Sequence, residues 1–140
     1  MRSIALITVL FFLIVKHGFA DTGKHFDRQS VRNAIIKSLP EGETRYIMIE
    51  VPAEVYDRSI SNSIKTSLLP CASKKMSLVI AGENNKSNYE ELRFALKNAS
   101  YQNFSGCRIV FVGDKTNFDE LEILARKIGV EFYAIEYSEK

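Results

Sequence analysis

The stretch 76-MSLVIAGENNKSNYEELRFALKNASYQNFSGCRIVFVG-113 decides the fold. It opens and closes on two short runs, Met76 to Ala81 and Arg108 to Val112, that are almost wholly apolar. Alternating runs suit a half-exposed sheet, whereas continuous ones suit parallel strands covered on both faces. Gly82 stops the first run and Gly113-Asp114 stops the second. Between them, Ser87-Asn88-Tyr89-Glu90 reads as a capping box, followed by an apolar stripe at Tyr89, Leu92 and Leu96. A strand, a helix and a second strand at these lengths predict a parallel crossover unit.

The same pattern extends in both directions. Upstream, Tyr46 to Val51 is a strand stopped by Pro52, and a helix from about Ala53 to Leu69 carries Tyr56, Ile60, Ile64 and Leu68, ending at Pro70. A further helix, about Asp27 to Leu39, shows Val31, Ala34, Ile35 and Leu39 and ends at Pro40. Downstream, Asn117 with Glu120 starts a helix through Phe118, Leu121, Leu124, Ala125 and Ile128, and Gly129 stops it. Glu131 to Tyr137 is the last strand. The predicted order is α-β-α-β-α-β-α-β, a small layered α/β sandwich around a mainly parallel four-stranded sheet. It is Rossmann-like or flavodoxin-like in the loose sense, which is a topology and confers no function.

Residues 1–20 read as a cleavable export signal. Arg2 provides the positive start, Ile4 to Val15 is apolar apart from Thr8, and Gly18-Phe19-Ala20 ends on small residues. An apolar core of about a dozen residues falls short of the roughly 20 that span a bilayer. Cleavage after Ala20 leaves a short polar leader, residues 21–26, and a single domain over residues 27–140. Arg2 and Lys16 leave with the signal, so the remainder keeps 17 of the 19 basic residues against all 17 acidic ones. A neutral chain of interleaved charges offers phosphate backbones no long-range attraction, so nucleic acid is not an expected partner. No later run is long enough to span a membrane, and the expected location is periplasmic or extracellular.

Two cysteines, Cys71 and Cys107, remain after the signal. An even count in an exported chain favours a disulfide, the alternative being two thiols packed as small hydrophobes. Closing a loop of that length would contribute roughly 4 kcal/mol on the chain-entropy account. The bond also favours adjacency of the second and third predicted strands, although a flavodoxin order stays possible.

The chemistry available is narrow. His25, in the leader, is the sole histidine outside the signal, so no Ser-His-Asp or Cys-His arrangement can form in the domain. Neither a C-x-x-C, a zinc-ligand spacing, a G-x-G-x-x-G nor a complete P-loop occurs, so no cofactor or metal is expected and no catalytic residue is assigned. One loop could hold an anion: Gly113, Asp114, Lys115 and Thr116 precede a helix N-terminus. The plainer reading is an ordinary turn capped by Asn117. Gly82 to Ser87 is read the same way. Glu50, Glu83, Asp114 and Glu136 fall near strand ends, and Glu50 is expected to point to solvent at the sheet edge. Asn85, Asn98 and Asn103 each start an Asn-x-Ser sequon. In the Asn98–Ser105 loop, Tyr101 and Phe104 are either lids on the core or exposed anchors.

The expected function is therefore that of an exported, non-catalytic protein that binds another protein, as an envelope accessory subunit or an inhibitor or immunity-type partner does. The alternative is a small-ligand or anion-binding domain, or an enzyme, using the loops at the strand ends.

Overall fold

The five strands of the sheet all run the same way. The computed structural model describes residues 9–13, 27–43, 45–55, 57–99 and 103–137. Strands β1 (Val9–Leu13), β2 (Tyr46–Glu50), β3 (Ser77–Ala81), β4 (Arg108–Gly113) and β5 (Glu131–Glu136) lie side by side in that order. Helices α1 (Arg28–Ser38), α2 (Ser59–Ser73), α3 (Asn85–Lys97) and α4 (Phe118–Lys127) precede β2, β3, β4 and β5 respectively. The four predicted strands are present within a residue at each end, and the α/β sandwich stands. The flavodoxin order does not occur, because β3 separates β2 from β4. The fifth strand, β1, falls within the predicted signal and pairs with β2 from Val9↔Tyr46 to Leu13↔Glu50. The cleavage site at Ala20, the leader 21–26, Tyr56 and Tyr101 lie outside the described residues.

Strand side chains alternate between two apolar layers. Ile49, Leu78, Ile80, Ile109 and Phe111 face α2, α3 and α4, meeting Ile64, Leu68, Leu92 and Leu121. On the other face, Tyr46, Val79, Val110 and Val112 meet Val31 and Ile35 of α1. The continuous apolar runs arise because both faces of β3 and β4 are covered.

Each step from β2 to β5 goes the same way across the sheet with its helix on one face, so these crossovers share one hand. α1, which precedes β2, lies on the opposite face.

Helix boundaries moved where side chains compete for backbone amides. Asp57 Oδ1 accepts from Ser59 N at 2.9 Å, so α2 starts at Ser59 rather than Ala53. It also runs past Pro70 to Ser73, because in the last turn the proline removes only one donor. Lys75, at φ 50°, then turns the chain. Asn84 caps α3 through Ser87 N at 3.0 Å, which displaces the predicted capping box at Ser87. Asn117 makes no side-chain cap on α4; instead, Asp114 caps a 3-10 turn over Lys115–Asn117 that leads into it. Cys71, in the last turn of α2, is bonded to Cys107 just before β4, with Cα atoms 4.9 Å apart.

Candidate functional site

In an open parallel sheet, ligands settle where neighbouring strands send their connections to opposite faces. From β2 to β5 every connection leaves toward the same face, so no such crevice separates these strands. The loops at this end are filled by their own side chains instead.

The Gly113–Thr116 loop is the clearest case. Asp114 Oδ1 accepts from both the amide and the hydroxyl of Thr116 at 2.9 Å, and Asn117 N donates to Asp114 O at 3.2 Å. The amide and hydroxyl of Thr116 hold the Asp114 carboxyl below the usual carboxylate range. A carboxylate of the chain itself already occupies the position where an outside anion would sit. Lys115 is exposed and points no charge into an enclosed site. Gly113 is needed for packing, since a Cβ there would lie 2.6 Å from the Phe111 ring.

The loop after β3 is closed more tightly. A Cβ on Gly82 would meet Val51 O at 2.2 Å and Asn88 Oδ1 at 2.6 Å. Asn88, fully buried, donates through Nδ2 to Gly82 O at 2.9 Å and Val112 O at 3.3 Å. It thereby ties the ends of β3 and β4 together. Asn85 Nδ2 donates to Tyr137 O at 2.8 Å, anchoring the end of β5. The sequence places Asn85 in a loop and a sequon and Asn88 in a capping box; both are clasps of the strand ends. Asn85 is buried in α3 with its Nδ2 engaged, so a glycan on that nitrogen would not fit this folded arrangement.

The acids do not pair with one another. Glu50 is not at solvent, as its position suggested, but 5% exposed and gripped by Arg28 of α1, with contacts of 2.6 and 2.9 Å. Burial of an unpaired charge would be costly, and the α1 guanidinium compensates it. Glu83 is half-buried and Glu136 exposed. Buried Glu91 of α3 accepts from Ser61 of α2, and Glu120 of α4 accepts from Tyr89 and, at 2.7 Å, from Arg93 of α3. The Tyr89 hydroxyl is thereby raised above its ordinary pKa and Glu120 lowered, chiefly by their shared hydrogen bond. Both contacts join helices. Among the described residues no three His, Cys, Asp or Glu side chains gather as metal ligands would, and no helix is long and apolar enough to cross a membrane.

At the opposite end of the sheet a hollow of about 470 Å³ is lined by Pro40, Gly42, Glu43, Arg45, Lys74, Lys75 and Met76. Its basic residues share it with Glu43, whose Oε2 accepts from Ser77 at 3.4 Å. Phe104 is 4% exposed and acts as a lid on the core, not an anchor.

The remaining candidate is the flank of β2 on which β1, the edge strand, lies. Tyr46, Ile47, Ile49 and Glu50 are buried, while β5 at the other edge follows an exposed-intermediate alternation with Glu131 and Glu136 in solvent. Charged side chains are one way natural edges avoid accepting another strand. β5 has them in solvent; β2 has the composition and burial of an interior strand, with residues 9–13 as its outer neighbour. The sequence already contained this contrast between YIMIE and EFYAIE. Comparison with protein-family models, curated proteins and solved structures finds no match for the chain.

Proposed function

We propose that this chain is an exported protein from which residues 1–20 are removed, and that it works without catalysis by binding another protein. The observation that carries this reading is the edge at β2. A strand with interior character is completed by a segment whose sequence is that of an export signal, so processing would leave an apolar edge open to a partner. The disulfide is compatible with an oxidising compartment outside the cytoplasm. The loops at the C-terminal strand ends, held by bonds from their own side chains, weigh against the small-ligand alternative.

The test has two parts. Intact-mass measurement on protein from the exported fraction should give a species beginning at Asp21, and one retaining Met1 would overturn the processing step. Cross-linking and pull-down from the native envelope or secreted fraction should then recover a stoichiometric protein partner. A rise in melting temperature with phosphate or a nucleotide that disappears in Lys115→Ala would instead favour an anion site at Gly113–Thr116.

A further inference from the structure

We infer that the processed chain takes up an extended apolar segment of its partner as a parallel strand along Tyr46–Glu50. This rests on the reading that residues 1–20 are removed and that the protein binds another.

Three observations combine here. The first is the composition of β2, which carries no charge before Glu50, and even that carboxylate is neutralised by Arg28. The second is that the site accepts a strand: five apolar residues, VLFFL, lie on it in unbroken parallel register. The third is placement. α1 packs on the face opposite α2, α3 and α4 and chiefly against β4 and β5, so β1 meets the domain mainly through its ladder with β2, as a strand supplied separately would.

The ladder specifies which groups a partner would meet. Val51 N donates to Ala81 O at 2.7 Å. Backbone groups alternate sides along a strand, so those of Ile47 and Ile49 also point to β3, and those of Tyr46, Met48 and Glu50 point outward. Pro52, which has no N–H, closes the edge at its far end. The fitting partner thus offers about five extended apolar residues, enough for three outward positions on β2.

Residue-resolved amide exchange tests this on protein recovered from the exported fraction, with and without a synthetic peptide carrying VLFFL between lysine pairs. In the processed protein alone, Ile47 and Ile49 should be protected while Met48 and Glu50 exchange freely. The peptide should slow Met48 and Glu50 by about tenfold or more. The same peptide N-methylated at alternate nitrogens, in both phases, should lose that effect in the phase that faces β2. The unprocessed chain should protect Met48 and Glu50 without peptide.

Each other outcome overturns the inference. Failure of the peptide to protect Met48 and Glu50 means that partners bind elsewhere, and the proposed function survives. Protection that appears without peptide and grows with protein concentration assigns the edge to a second copy of this chain. Protection at every concentration means that another segment of the chain covers it. Exported protein that still begins at Met1 removes the vacancy and the processing step together.

Discussion

Asn88 joins two strands with one side chain, and its surroundings leave little latitude. Its amide serves Gly82 O and Val112 O from a fully buried position, and the missing side chain of Gly82 makes the approach possible. Asn88→Ala strands two carbonyls that no water readily reaches, and should cost about 1–3 kcal/mol in urea denaturation. Gly82→Ala should cost about 2–4 kcal/mol, since backbone rather than a flexible side chain stands in the way. Sequence patterning marked Gly82 as a stop but gave no hint of the Asn88 clasp. An asparagine in a polar stretch looks the same whether it faces water or two strand ends, and only tertiary placement separates them. The Glu50–Arg28 pair was hidden for the same reason: 22 residues of chain divide the partners.

Periodicity made the elements legible, because it records which face is covered. Both apolar layers of the sheet follow from the uninterrupted runs at residues 77–81 and 108–113. Helix starts were less legible, because several polar residues compete for the same amides and local spacing does not rank them. The region before α4 offers a direct comparison. Asn117→Ala should leave stability nearly unchanged, as its side chain makes no cap. Asn84→Ala should lower it by about 1 kcal/mol, because Ser87 N loses its acceptor. Lys115→Ala should behave as other exposed substitutions do, without a measurable loss of stability or of partner binding. Thermal and chemical denaturation of the three variants side by side would rank the caps. A larger effect at Asn117 than at Asn84 would mean that the turn over Lys115–Asn117 is not how α4 begins.

At the scale of the molecule, the disulfide is a covalent tie between the helix layer and the sheet. It joins the last turn of α2 to the residue before β4, at the end of the sheet away from the Asn88 clasp. The two fastenings thus hold opposite ends of the β3–β4 pair, and each should act without the other. The bond spans 36 residues, and closing such a loop in the unfolded chain is worth about 4 kcal/mol on the entropy account. That is a large share of the roughly 5–15 kcal/mol by which small domains are stable. Cys71 and Cys107 are both buried, so replacing them with a pair of alanines adds a small packing loss to the entropic one. The double variant should keep its far-ultraviolet spectrum while its melting temperature falls by something on the order of 15 °C. Chemical reduction of the wild type should reproduce most of that shift. Combining the double variant with Asn88→Ala should give a nearly additive loss, because the sites sit at opposite ends of the strands and share no partner. Strong coupling between them would instead show that the β3–β4 pair opens as a single unit from either end.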